Sequence, residues 1–117
     1  MTRLTTHVLD VSAGIPAAGM RIALRTTSGS DQRVLAHAQT NSDGRCSRPL
    51  LEGADFRAGR YALTFHVSEY FEARGVQLPD PPFLDLVVIE FGIADASSHY
   101  HVPLLVTPWS YSTYRGS

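Results

Sequence analysis

The sequence predicts an all-β fold, a two-sheet β-sandwich of about eight strands with one short helix. Three observations carry this. Short runs of alternating apolar residues recur between clusters of turn-forming residues. One segment alone, Ser68 to Gly75, has a helical composition with a candidate cap and a stop. No linker, charge block or repeat divides residues 1–117, so the whole chain reads as a single domain.

The elements follow in order. Leu4 to Val11 alternates and is stopped by Ser12-Ala13-Gly14-Ile15-Pro16. Met20 to Thr26 is the next strand and ends at the turn-like Ser28-Gly29-Ser30-Asp31. Arg33 to Thr40 leads into Asn41-Ser42-Asp43-Gly44, a strong turn composition. Cys46 to Leu50 is expected as a short edge strand limited by Pro49. In Tyr61 to Val67 the residues Tyr61, Leu63, Phe65 and Val67 fall on one face. Ser68 is expected to cap the helix, with Tyr70, Phe71 and Arg74 inside it. The stiff connector Leu78-Pro79-Asp80-Pro81-Pro82 follows. Leu84 to Ile93, rich in Leu, Val, Ile and Phe, reads as a strand buried on most of both faces. His99 to Thr107 is the next strand, Pro108-Trp109-Ser110 turns the chain, and Ser112 to Arg115 is the last.

Composition narrows the function. At 117 residues and 44% apolar the chain can bury a real core and is not disordered. A formal net charge of −1, with five histidines counted neutral, gives no electrostatic case for nucleic acid or an anionic membrane. Cys46 is alone, so no intrachain disulfide forms, which fits a reducing compartment. Residues 1–7 hold no apolar signal-peptide core and no run is long enough to span a bilayer. A cytoplasmic location is the expectation.

Chemistry-bearing residues concentrate at the two ends. On a strand, His99, His101 and Leu105 share one face, while Tyr100, Val102, Leu104 and Val106 share the other and suit a core. The histidines therefore look outward, onto a face that is partly apolar and suits cover by another chain. His7 faces with Thr5 and Leu9 in the first strand. Arg45 follows the Asp43-Gly44 turn and offers a rigid fork of donors for an anionic or amide-rich planar ligand. The chain closes on Tyr111-Ser112-Thr113-Tyr114-Arg115-Gly116-Ser117, unusually rich in functional groups for a terminal segment. His99-x-His101 also has a zinc-like spacing, with His7 as a third ligand, but no Cys pair or His-Glu-x-x-His accompanies it. No Gly-x-Ser-x-Gly elbow and no Gly-rich phosphate loop is present.

Four motifs, in order, resemble the transthyretin-like 5-hydroxyisourate hydrolases of purine breakdown. They are Leu4-Thr5-Thr6-His7-Val8-Leu9-Asp10, Asn41-Ser42-Asp43-Gly44-Arg45, His99-Tyr100-His101-Val102-Pro103-Leu104-Leu105 and Tyr114-Arg115-Gly116-Ser117. The terminal tetrapeptide is the most diagnostic, because the hormone carrier transthyretin shares the fold but lacks that ending. The resemblance implies a transthyretin-like sandwich of eight strands and a homotetramer with sites in a channel between dimers. It implies hydrolysis of 5-hydroxyisourate to 2-oxo-4-hydroxy-4-carboxy-5-ureidoimidazoline during urate degradation. It implies His7, Arg45, His101 and Ser117 as catalytic residues, with Tyr114, Arg115 and Gly116 binding substrate.

That reaction needs a base for water, a positive group for the charge developing on the substrate, and an acid for the leaving nitrogen. Imidazole suits the first and third, since it titrates near neutrality; His7 and His101 are the candidates, with base and acid unassigned between them. Arg45 is the electrostatic group, and Ser117 can hold the water or a histidine through its hydroxyl or terminal carboxylate. No metal or organic cofactor is required, and neither nucleic acid nor membrane is an expected partner. Two other readings stay open: a small-ligand carrier without catalysis, and a zinc-dependent cyclic amide hydrolase using His7, His99 and His101.

Overall fold

The computed structural model describes residues 2–30 and 32–117. Its strands are β1 (Arg3–Thr5), β2 (Val8–Asp10), β3 (Ile15–Pro16), β4 (Arg21–Thr26), β5 (Val34–Gln39), β6 (Leu51–Glu52), β7 (Gly59–His66), β8 (Leu86–Ile93), β9 (Tyr100–His101), β10 (Leu104–Val106) and β11 (Tyr111–Ser112). Among the described residues one α-helix, α1 (Val67–Ala73), and one 3₁₀ turn, Gly53–Asp55, accompany them. The strands among the described residues number eleven against the expected eight: two of the additional ones come from interruptions, and the other is β3, formed by Ile15–Pro16 within the expected turn. The run from Leu4 is split at Thr6-His7, and the run from His99 is split at Val102-Pro103. These breaks stand side by side, because β1 pairs parallel with β9 and β2 parallel with β10. Pro103 has no N–H to give the ladder. The Thr6 hydroxyl compensates by donating to the Val102 carbonyl at 2.7 Å, and the Val102 and Leu104 amides donate to Thr5 and His7 at 2.9 Å each.

One layer is therefore built on the long parallel pairing of β1–β2 with β9–β10, edged by β6, β3 and β11. The other is the antiparallel order β5-β4-β7-β8. Between them lies the core. Ile22, Leu24, Leu63 and Phe65 come from the second layer, Leu4, Val8, Leu104 and Val106 from the first, and all are essentially inaccessible. The predicted inward face Tyr100, Val102, Leu104, Val106 is buried, and His99, His101 and Leu105 are half-buried on the other side.

Three local expectations change. β8 alternates: Val87, Ile89 and Ile93 are buried while Leu86, Val88 and Glu90 are exposed, as an edge strand with one face on the core requires. Ser68 does not cap α1; its hydroxyl donates to Asp85 Oδ1 at 2.6 Å, and the Asp85 carbonyl accepts the Val67 and Ser68 amides instead. Asp31, placed by sequence in the turn after β4, lies outside the described residues.

The third change makes the site. Cys46 to Leu50 is not a strand. His7 bridges antiparallel to Arg45, and Leu4 pairs with Leu51, so two residues on one side face five on the other. The surplus chain cannot lie flat against β1, and Pro49 could not donate to it in any case. Residues 46–49 arch away from the sheet, and the chain rejoins it where the Leu50 amide donates to the Leu4 carbonyl at 2.8 Å. The helix end is tied to the first layer by Asp10, a buried carboxylate that accepts from Tyr70 at 2.9 Å and from Ser12 at 2.6 Å and stands 3.6 Å from Arg74. Burial, then the bond to Asp10, pushes the Tyr70 phenol up to about 12. Among the described residues no helix is long and apolar enough to cross a membrane.

Candidate active site

The arch 46–49 roofs a pocket of about 450 Å³ whose floor is the outward face of β1 and β9. Thr5, His99 and His101 line the floor, Cys46 to Pro49 the roof, and Arg3, Arg45 and Ser117 the rim. Arg48 adds a third guanidinium, and among the described residues no carboxylate side chain lines the space. Such a concavity favours an anionic or carbonyl-rich ligand on charge alone.

Each group is held by its backbone. Asn41 to Gly44 forms a tight turn in which Asn41 Oδ1 accepts the Asp43 and Arg45 amides at 2.9 and 3.2 Å, and Asn41 N donates to the Arg45 carbonyl at 2.8 Å. Gly44 sits at φ 75°, and a Cβ there would stand 2.4 Å from the Val8 carbonyl oxygen, so no other residue fits without moving β2. Arg45 is thereby fixed beside His7 while its exposed guanidinium pairs with no carboxylate among the described residues.

The two catalytic histidine candidates differ in what holds them. Nε2 of His7 lies 2.9 Å from the Asp43 carbonyl oxygen. A carbonyl only accepts, so His7 carries its proton on Nε2 and keeps Nδ1 as the acceptor when neutral. Nδ1 of His101 lies 2.8 Å from Thr5 Oγ1. Burial first, then the charges of Arg45, His7 and His99, holds the His101 imidazole below its usual range. It therefore stays neutral, and able to accept a proton, at neutral pH. Burial also pushes the Cys46 thiol up, so it is a packing residue of the roof rather than a thiolate nucleophile.

The terminal segment divides. Gly116 forms a bridge with His101, and Ser117 reaches the pocket rim. Tyr114 is exposed and Arg115 lays its guanidinium 4.2 Å above the Tyr100 ring while donating to the His99 carbonyl at 3.2 Å. Both border a different, more apolar depression with Ile89 and Phe91. Within one chain the fold thus gathers Arg45, His101, Gly116 and Ser117, sets His7 beside Arg45, and leaves Tyr114 and Arg115 off the pocket. Among the described residues no three His, Cys, Asp or Glu side chains are arranged to hold a metal ion, so His7, His99 and His101 do not form a ligand set here.

Sequence reasoning missed Thr5, Arg3 and Arg48. Thr5 was detectable, since it alternates onto the His7 face and its strand pairs with that of His101. The two arginines carried no signal, because only the arch brings Arg48 over β1.

Residues 4–116 match the model of the HIUase/Transthyretin family. The chain is 57% identical to the 5-hydroxyisourate hydrolase of Pseudomonas aeruginosa over 117 residues, covering all of this chain and 93% of that one. The crystal structure of (S)-allantoin synthase superposes with a TM-score of 0.95 at 46% identity, covering 99% of this chain and 44% of that one. Sea bream transthyretin in complex with thyroxine superposes with a TM-score of 0.86 at 24% identity, over 97% of this chain and 94% of that one, and so shares the sandwich. With a two-layer sandwich, an arginine- and histidine-lined pocket and a family match over nearly its full length, the chain belongs to the HIUase/Transthyretin family.

Proposed function

We propose that the chain hydrolyses 5-hydroxyisourate to 2-oxo-4-hydroxy-4-carboxy-5-ureidoimidazoline, opening the six-membered ring by water attack on a ring carbonyl. The observation that carries this is the pocket lining: three guanidiniums and two imidazoles, with no side-chain carboxylate among the described residues. A carrier for an apolar ligand would present an apolar wall there. The full-length identity to a named hydrolase supports the same reading.

The chemistry follows from the groups in place. Arg45, unpaired by carboxylate among the described residues and exposed at the rim, binds the planar substrate and stabilises the oxyanion that forms when water adds. His101, neutral at pH 7, and His7, with Nδ1 open, share the proton transfers from water and to the leaving ring nitrogen. Water adds to the carbonyl carbon, the carbon–nitrogen bond breaks, and the nitrogen leaves with a proton. Ser117 positions the water or the imidazole from the rim. The scheme uses no metal or organic cofactor.

The working form is a homotetramer in this reading, with the site in a channel between dimers. Tyr114 and Arg115 then contribute to substrate binding in the assembled channel. Exposed Trp109, Tyr111, Leu86 and Val88 support such burial, as does the half-buried register pair Leu9 and Leu105 on the histidine face. The chain acts as one domain, in the cytoplasm, on a small molecule.

The test is decay of 5-hydroxyisourate generated in place by urate oxidase, with chelator present. Decay faster than the buffer control is expected. Decay equal to the control overturns the hydrolase, and activity lost to chelator but restored by zinc overturns the mechanism.

A further inference from the structure

Thr5 touches both pocket histidines. Its Oγ1 stands 2.8 Å from Nδ1 of His101 and 3.4 Å from Nε2 of His99. Its backbone is fixed, because Thr5 pairs with His101 in register and its carbonyl accepts the Val102 amide at 2.9 Å. A β-branched side chain on such a strand has few rotamers to explore.

Proton counting restricts what this trio can do. A hydroxyl has one proton to give and lone pairs to receive; a neutral imidazole has one donor and one acceptor nitrogen. Two arrangements use the Thr5 hydroxyl as acceptor from one imidazole and donor to the other; a third, in which both imidazoles donate to it, gives His101 the same tautomer as the first of these. In the first, His101 Nδ1–H donates to Thr5, and Thr5 O–H donates to a bare Nε2 of His99. His101 then keeps Nε2 bare for the pocket. In the second, the direction reverses, and Nε2 of His101 carries the proton and cannot act as a base.

We propose that Thr5, oriented by His99, is a positioning residue that holds His101 in the first arrangement, with Nδ1 protonated and Nε2 free to take the proton of the attacking water. This rests on the hydrolase reading and assigns the base within it. Thr5 does for His101 what a carboxylate does for the histidine of a hydrolytic triad, which is to fix the tautomer and ring plane. It does so without a negative charge. The imidazole is therefore oriented but not made more basic, consistent with its neutrality beside Arg45, His7 and His99. When water is deprotonated, His101 becomes doubly protonated with Nδ1–H still bonded to Thr5, and the Nε2 proton then passes to the leaving nitrogen by way of the bare Nδ1 of His7. Protons balance over the cycle with none stored on Thr5 or His99.

The experiment reads the tautomer directly. Protein labelled with ¹⁵N-histidine gives long-range ¹H–¹⁵N correlations for His101 above pH 7; the expected result is a protonated Nδ1 and an unprotonated Nε2. Thr5→Val, close to isosteric, is expected to yield mixed tautomers and a kcat lowered roughly ten-fold or more, within the span of misoriented acid–base groups, with KM changed less than two-fold. Thr5→Ser restores the hydroxyl and is expected to restore both readouts. His99→Phe removes the acceptor that orients Thr5 and is expected to cost less, with His99→Gln rescuing. A wild-type His101 protonated on Nε2, or a folded Thr5→Val protein with an unchanged tautomer and full kcat, overturns the proposal. Absence of hydrolysis in the wild type overturns the hydrolase reading instead, and leaves the tautomer measurement intact.

Discussion

Gly116 and His101 exchange backbone hydrogen bonds in both directions, Gly116 N to His101 O at 2.7 Å and His101 N to Gly116 O at 3.3 Å. A Cβ on Gly116 would stand 3.0 Å from Cδ2 and 3.1 Å from Cβ of His101. The missing side chain is thus what lets the terminal segment close against the imidazole. Gly116→Ala must push the ring or open the bridge, and either moves Nε2. The expected result is a kcat lower by about ten-fold or more, since small misplacements of a reacting group are costly. Little change in melting temperature is expected, because Gly116 buries no apolar side chain. Steady-state kinetics beside a thermal melt checks both.

Arg45 gives the opposite separation of binding from fold. Its backbone is locked by the Asn41 turn and its bridge to His7, but its guanidinium makes no hydrogen bond or ion pair among the described residues. Arg45→Ala is expected to melt within a degree or two of wild type and to lose kcat/KM by roughly 10²–10³, the size of removing one oxyanion donor. Arg45→Lys keeps the charge but not the planar fork, and recovers only part of the rate. A destabilised Arg45→Ala protein would mean that the side chain is structural.

The pH dependence has a definite sign. The folded protein holds His101 below the free-imidazole value of 6.5, chiefly through burial and then through Arg45, His7 and His99. A base must be neutral to act, so kcat/KM should rise with pH along a limb whose midpoint lies below 6.5, and reach its plateau by neutral pH. His101→Asn should remove that limb together with most of the rate. Stability moves the same way: the unfolded chain binds a proton at His101 more readily, so this contribution is present above 6.5 and is lost as pH falls through the folded value. A pH-rate limb centred above 6.5 would contradict the neutral base.

The sandwich was legible because burial on one face writes a period of two into Tyr61–Val67 and Tyr100–Val106, and the turn at Asn41–Gly44 is written in residues whose side chains bond their own backbone. The facing of His99 and His101 came from the same period. The pocket was not legible. It exists because five residues between Arg45 and Leu51 oppose two between His7 and Leu4, a register fact that appears only when β1 meets β6. The local pattern predicts an edge strand at Cys46–Leu50, and the long-range count overrules it. β8 misled for a related reason: Leu86 and Val88 look like core residues but lie on the outer face of an edge strand. The sequence neighbours of Ser68 predict a cap, while its partner Asp85 is distant in sequence and close only in the fold.

The terminal tetrapeptide offers the sharpest separation of site from scaffold. Tyr114 is exposed, Arg115 is held by one ring face and one carbonyl, Gly116 by two backbone bonds, and Ser117 by the pocket rim. None of the four belongs to the buried core. Deleting residues 114–117 therefore removes the Gly116 bridge beside His101 and the pocket-lining Ser117, but no core volume. The expected melting temperature falls by only a few degrees, as for about 1 kcal/mol in a domain of this size. Turnover of 5-hydroxyisourate should fall by about 10² or more, because the imidazole loses its backbone neighbour and the pocket its Ser117 side. Light scattering on the same sample separates two causes of the loss. If the truncated protein keeps the assembly state of the wild type and loses turnover, the segment acts at the site. If assembly is lost as well, restoring Gly116 and Ser117 behind a Tyr114→Ala, Arg115→Ala background shows which half of the segment does which. A truncated protein that turns over substrate at the full rate would remove Gly116 and Ser117 from the active site altogether.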